Sequence, residues 1–221
     1  MLPLFATIVA AYLLGSLPFG YLVARAKGVN IFEVGSKNPG ATNVRRVLGS
    51  GPGNLVLALD AAKGAAAVAL GYLHFSFDGT APQTVWFDYS IAHPDVGRPL
   101  AGLVFSMLGH SFSCFTGFKG GKGVATGAGG FAVLFPLGMV IALAIFASTV
   151  ILTRYVSLGS MLAAASLPFA AFSFKAPSPV ISVAAMIACF VIYRHRANIA
   201  RLRAGTENKV GRKKAAATSS S

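Results

Sequence analysis

Residues 124–152 read VATGAGGFAVLFPLGMVIALAIFASTVIL, 29 residues without a charge. As one helix they would run about 43 Å, well past the ~30 Å hydrocarbon core of a bilayer. Pro136 stands near the middle, where it lacks the amide a helix needs and breaks it into two short limbs. The stretch therefore predicts a hairpin rather than a single span. That choice sets the parity of the chain, because basic residues flank its apolar runs unevenly.

The first run, Leu2 to Ala24, is 23 residues without a charge and long enough to cross a bilayer. No Lys or Arg precedes it, while Arg25 and Lys27 follow, the flanks of a retained helix with its N-terminus outside. Further apolar runs lie at 54–73, 98–116, 156–173 and 178–193. Five basic residues fall in 25–46, none in 74–97, two in 117–123, one at Arg154, one at Lys175 and eight after 193. The excess of cations predicts that 25–53, 117–123, 153–157 and the tail are cytoplasmic. The loop 74–97, with Asp78, Asp88 and Asp95, is expected outside. The expected architecture is all-α: a polytopic membrane protein of about seven crossings, some short or broken, with its C-terminus inside. Residues 1–210 read as one membrane domain and 211–221 as a disordered basic and Ser-rich tail.

Composition agrees. Of 221 residues, 55% are hydrophobic and 11% charged, which excludes an ordinary soluble domain and a disordered chain. The balance of 19 Lys and Arg against 6 Asp and Glu leaves a formal charge of +13. No groove-reading helix or stacking ribbon accompanies those cations, so nucleic acid is not the expected partner. Anionic lipid or an anionic substrate is. Cys114 and Cys189 lie in apolar runs and support neither a disulfide framework nor a metal cluster.

Three inside segments are unlike ordinary connectors. The first runs Gly35-Ser36-Lys37-Asn38-Pro39-Gly40-Ala41-Thr42-Asn43-Val44-Arg45-Arg46. Its glycines let main-chain amides face an anion, Ser36, Asn38, Thr42 and Asn43 offer short polar groups, and the arginines offer planar forks for phosphate. A turn leading into a capped helix is the plainer alternative. The second, Phe118-Lys119-Gly120-Gly121-Lys122-Gly123, opens an apolar helix as a phosphate cradle would, or else is a flexible basic turn. It is not a nucleotide P-loop, because Thr116 and Gly123 occupy positions needing Gly and Ser or Thr. The third is the tail, where His195, Asn198 and Leu202 share one helical face. An amphipathic helix lying on anionic lipid explains that face equally.

Within the second run, Asp60 and Lys63 stand at i, i+3 and can neutralise each other, either as structure or beside a substrate pocket. Gly15, Ser16, Pro18 and Gly20 in the first run predict close helix packing. Five residues after His110 comes Phe115, and five after His74 comes Gly79, so no H-x-x-x-x-D acyltransferase dyad is written in the chain. No paired carboxylates, zinc spacing or Gly-x-Ser-x-Gly elbow is present either. The expected site handles anions with cations and amides, without metal or cofactor.

Together these segments resemble the bacterial acyl-phosphate:glycerol-3-phosphate acyltransferases of the PlsY type. The matching blocks run in order from about residue 10 to 210: Gly15-Ser16-Leu17-Pro18-Phe19-Gly20; Gly35 to Asn43 with Arg46; Asp60 with Lys63-Gly64; and Gly109-His110. Phe118 to Thr126, Arg154 to Leu158, Tyr193 to Arg196 with Asn198-Ile199, and Gly205-Thr206-Glu207 complete the set. Lys37, where the family often has Gly, and the longer loop 74–97 depart from the pattern.

The resemblance implies transfer of a fatty acyl group from acyl phosphate to the 1-hydroxyl of glycerol 3-phosphate, giving lysophosphatidic acid and phosphate, the first step of bacterial phospholipid synthesis. It implies a cytoplasmic-membrane location with the site on the cytoplasmic side, and a soluble acyl-phosphate-forming enzyme as a possible partner. Gly120, Gly121, Lys122 and Ser36 are expected at the donor phosphate and the developing oxyanion. Arg46, Asn43, Lys119 and Asn198 are expected at glycerol 3-phosphate, with Asn38, Thr42, Gly123 and Ser157 completing the substrate contacts. His195 is expected at the acceptor hydroxyl, unless a substrate phosphate takes that proton instead. Glu207 is expected to anchor the tail. A transporter for an anionic metabolite and a scaffold for lipid synthesis are the rival readings.

Overall fold

The computed structural model describes residues 2–73 and 96–211. The acidic loop, up to Asp95, and the tail from 212 onward lie outside the described residues.

Among the described residues all regular structure is helical: α1 Leu2–Ser16, α2 Phe19–Arg25, α3 Ala41–Leu48, α4 Ser50–Leu73, α5 Gly97–Ser111, α6 Val124–Leu134, α7 Pro136–Thr153, α8 Val156–Ser173, α9 Ser178–Arg194 and α10 Arg196–Arg203. Four stretches are long and apolar enough to cross a membrane: Pro3–Arg25, Ser50–Tyr72, Pro136–Thr153 and Val156–Ser173. A fifth, α9 with α10, is bent by 58°. The 15 residues of α5 and 11 of α6 fall short, α6 running only about 16 Å. The seven crossings or part-crossings read from the sequence thus correspond to α1–α2, α4, α5, α6, α7, α8 and α9.

The break at Pro136 is where the sequence puts it. Phe135 leaves the helical region (φ −146°, ψ 72°), as a residue preceding proline tends to do, and Pro136 starts α7. The two limbs leave and return to one face of the molecule. At the start of α6, Lys122 bonds Asn198; just after α7, Ser157 bonds Glu207; and Asn198 and Glu207 are themselves 2.6 Å apart. The cytosolic connectors of the sequence reading therefore share a face.

Small residues set the helix spacing. A methyl group on Gly64 would sit 1.9 Å from the Thr126 carbonyl oxygen, and one on Gly129 equally close to that of Ala61, so only glycine lets α4 and α6 touch backbone to backbone. Gly15 meets Ser106 of α5 in the same way, which is the close packing expected of the first run. One apolar core joins Leu103, Met107, Phe131, Phe135, Val180 and Val191 across α5, α6 and α9. A smaller one, Ala24, Ile31, Val44 and Val56, seats the first inside loop and α3 on α4. The outer faces carry apolar side chains that face away from the protein: Ile151 and Leu152 are 77% and 81% exposed, and Phe169 and Phe172 nearly as much. Such a belt suits a hydrocarbon solvent rather than water.

Candidate active site

The glycine loop forms the floor of the site. Gly123 caps α6 in the left-handed region (φ 79°), and the first helical bond is Gly127 N–H to the Gly123 carbonyl, 2.7 Å. The amides of Gly120, Lys122, Gly123 and the first turn of α6, Val124 to Thr126, donate to no acceptor among the described residues. A run of unmatched amides at a helix N-terminus is a seat for an anion.

Gly121 is different. Its amide donates to the His110 carbonyl at 3.0 Å, so it cannot also serve an oxyanion, and the expectation of a Gly121 donor is corrected to a structural bond. Arg194 grips the same segment from another side. Its Nη2 donates to the carbonyls of Gly121 (2.6 Å) and Gly120 (3.2 Å), while its guanidinium lies 5.1 Å from the Phe112 ring. Asn38 reaches within 3.5 Å of the Gly120 carbonyl, tying the first inside loop to the second.

Lys122 reaches from the loop to the tail, its Nζ donating to Asn198 Oδ1 at 2.5 Å. Burial lowers its pKa to about 8; Glu207 resists that shift, while Arg201, Arg46 and Arg194 add to it. Glu207 is the hub beneath. It accepts from Asn198 (2.6 Å) and Ser157 (3.0 Å) on one oxygen and from Arg201 (2.6 Å) on the other. Burial alone would raise its pKa, but those hydrogen bonds and the Arg201 charge outweigh it and hold the carboxyl below the usual range. The anchoring role expected of Glu207 is what the geometry shows. Ser157 touches Glu207 rather than the open part of the site.

His195 sits at the bend between α9 and α10 and is 2% exposed. Its Nδ1 lies 2.8 Å from the Val191 carbonyl, which can only accept, so the ring proton is on Nδ1 and Nε2 keeps a lone pair. Burial, and then the Lys122 charge, push its pKa down to about 4. The ring is therefore neutral near pH 7. With His195 and Asn198 both buried, this face of the tail packs on protein rather than lipid.

The first loop is braced by Asn43, whose Oδ1 accepts from the Ser36 amide (2.8 Å) and whose Nδ2 donates to the Val34 carbonyl (3.1 Å). Both ends are engaged by the loop's own backbone, so the expected contact of Asn43 with substrate is corrected to bracing. Gly35 (φ 60°) allows this, since a methyl there would lie 2.3 Å from Asn43 Oδ1. Lys37 is left-handed as well (φ 56°), a conformation that glycine adopts without strain. Ser36, Thr42, Arg46 and Lys119 are exposed around the rim, and Arg46 is close enough to Glu207 and Lys122 to influence both electrostatically.

Two residues of the matching blocks carry no role in the sequence reading. Nothing local marks Arg194 as a clamp, and His110 has no acid five residues on. Yet its Nδ1 stands 3.5 Å from Asp60 Oδ1, a His–Asp pair made between α5 and α4. Among the described residues no three His, Cys, Asp or Glu gather as a metal site.

The model of the glycerol-3-phosphate acyltransferase family matches residues 5–205. This chain belongs to that family. It is 44% identical over 219 residues to the glycerol-3-phosphate acyltransferase of Acaryochloris marina, covering 96% of this chain and 94% of the relative. The enzyme of the same name from Fusobacterium nucleatum is 42% identical, with 93% and 97% covered. Among solved structures, the integral membrane glycerol 3-phosphate acyltransferase PlsY superposes in its glycerol 3-phosphate form with a TM-score of 0.82 and in its lysophosphatidic acid form with 0.79. Both are 36% identical, and they cover 94% of this chain and 96% and 95% of theirs. Family membership and the apolar helices together make this an integral membrane protein.

Proposed function

We propose that this protein transfers a fatty acyl group from acyl phosphate to the 1-hydroxyl of glycerol 3-phosphate at the cytoplasmic face of a bacterial inner membrane, with its N-terminus outside and C-terminus inside. The observation that carries the reading is the meeting, on one face, of unmatched amides at Gly120 and 122–126, the half-buried Lys122 ammonium and the bare Nε2 of a neutral His195. The relatives named glycerol-3-phosphate acyltransferase supply the acceptor; the acyl phosphate donor is what the resemblance to the PlsY-type enzymes implies, and a seat for an anion beside the Lys122 ammonium supports it.

The amides of Gly120, Lys122 and Gly123, with the ammonium of Lys122, hold the donor phosphate and meet the charge that grows on its acyl oxygen. Arg46 and Lys119, with Thr42, receive glycerol 3-phosphate; Ser36 serves the donor phosphate, and Asn198, engaged by both Lys122 and Glu207, holds the Lys122 ammonium in place. The hydroxyl hydrogen bonds to His195 Nε2, which aims its oxygen at the acyl carbon. As the carbon–oxygen ester bond forms, the carbon–oxygen bond to phosphate breaks and the electron pair leaves on phosphate. A ring whose conjugate acid ionises near pH 4 is a weak base. The departing phosphate is the stronger one and takes the proton, so the reaction closes as acyl phosphate plus alcohol to ester plus hydrogen phosphate.

Purified protein in lipid or detergent should release inorganic phosphate from acyl phosphate only when glycerol 3-phosphate is present, forming lysophosphatidic acid in equal amount. Intact acyl phosphate after that incubation, as a transporter or scaffold would leave it, refutes the reading. The same assay tests whether a soluble acyl-phosphate-forming enzyme enhances turnover.

The charge of Lys122 also predicts a pH dependence. Because kcat/KM reports ionisations of the free enzyme, activity should fall as pH rises through about 8 and the ammonium is lost. Lys122→Arg, which keeps its charge to much higher pH, should show no such limb even where its overall rate is lower. An alkaline limb at the same pH in both proteins would assign it to another group.

A further inference from the structure

The buried charges of α4 and α5 lie under the glycine loop, outside the chemistry just described. Asp60 and Lys63 are 2% and 3% exposed, 2.8 Å apart, and the Lys63 ammonium also donates to the Leu17 carbonyl at 2.9 Å. Asp60 Oδ1 then stands 3.5 Å from His110 Nδ1, and the His110 side chain is 8% exposed. The other edge of that ring bears on the glycine loop. A methyl on Gly121 would fall 2.0 Å from His110 Nε2, so the ring and the Gly121 α-carbon are in direct contact. The carbonyl of the same histidine holds the Gly121 amide at 3.0 Å. One small cavity is lined in common by Asp60, Lys63, His110, Lys119, Gly120 and Gly121.

We infer that His110, set 3.5 Å from Asp60, is a positioning residue: its ring and carbonyl fix Gly121 so that the neighbouring amides of Gly120, Lys122 and Gly123 keep the geometry that receives the donor phosphate. The inference rests on the proposed function. Two features favour positioning over mere packing. A charge pair at this depth is expensive, and helices otherwise packed through glycine and alanine have no need of one to hold together. The ring also touches Gly121, whose amide is tied down, while the amides on either side of it in the loop donate to no acceptor among the described residues. Displacement of such a support by about 1 Å is enough to slow a reaction some hundredfold.

The test separates donor from acceptor. His110→Ala removes the ring that bears on Gly121, keeps the backbone carbonyl and leaves Asp60 paired with Lys63, so no charge is stranded. Asp60→Asn combined with Lys63→Met removes the ion pair as a unit, a replacement that buried pairs often tolerate, and leaves His110 without its carboxylate. For both proteins the Michaelis constant for acyl phosphate and the inhibition constant for inorganic phosphate should rise about tenfold or more, with that for glycerol 3-phosphate unchanged. A loss of rate with all three constants unchanged, or a parent-like enzyme, overturns the inference. The parent enzyme is the control for the underlying reading: if it fails to release phosphate from acyl phosphate and glycerol 3-phosphate, the proposed function is what fails.

Discussion

Lys122→Ala will release phosphate from acyl phosphate at least about a thousandfold more slowly than the parent, the loss expected when a central donor to a developing oxyanion is removed. Lys122 joins the glycine loop to Asn198, and the nearby Arg194 is already engaged by the carbonyls of Gly120 and Gly121. The variant should nonetheless fold. The folded-state pKa of about 8 lies below the ordinary value of 10.5, so the charged ammonium opposes folding. That penalty is full below about pH 8 and fades as pH climbs to the unfolded value. Lys122→Met should therefore unfold at the parent's temperature or above it while remaining inactive, a trade of stability for function. A thermal scan beside the phosphate assay checks both halves. Near-parental turnover would remove Lys122 from the chemistry.

Glu207→Ala should lower stability by about 2–3 kcal/mol, toward the low end for a buried ion pair broken on one side because Arg201 is 35% exposed. Three donors, from Asn198, Ser157 and Arg201, lose their acceptor together, and the bridge between the tail and the start of α8 goes with them. Glu207→Gln is the sharper probe. It keeps an oxygen for Asn198 and Ser157 but removes the charge that resists the lowering of the Lys122 pKa. Its alkaline limb should consequently move below the parent's value, with stability falling less than in the alanine variant. If the limb stays in place, the electrostatic link between Glu207 and Lys122 is absent.

Both effects converge on the tail, which the sequence reading could interpret equally as a helix lying on lipid. What distinguishes the two is burial. His195, Asn198 and Glu207 are all within 9% of complete burial, and Asn198 ties Glu207 to Lys122. A sequence shows that a helix has a polar face; it does not show whether that face meets a headgroup or another loop.

Much of the rest was legible. The membrane class follows from apolar runs too long and too uncharged for water, the hairpin from 29 apolar residues interrupted by Pro136, and the common face of the connectors from the count of cations. These are local properties, set by backbone rise, by proline and by the position of charge along the chain, and no tertiary contact alters them. The glycine loop was recognisable as a cradle for the same reason. Which of its amides are free was not, because Gly120 and Gly121 both lie beside the His110 carbonyl and only the Gly121 amide donates to it. Asn43 looked like a substrate ligand until the loop folded around it, and Asp60 and His110 became partners only when α4 and α5 packed together. Pairings between residues 50 or more positions apart depend on helix spacing of a few ångströms, which glycine contacts such as Gly64 on Thr126 set and no local pattern encodes.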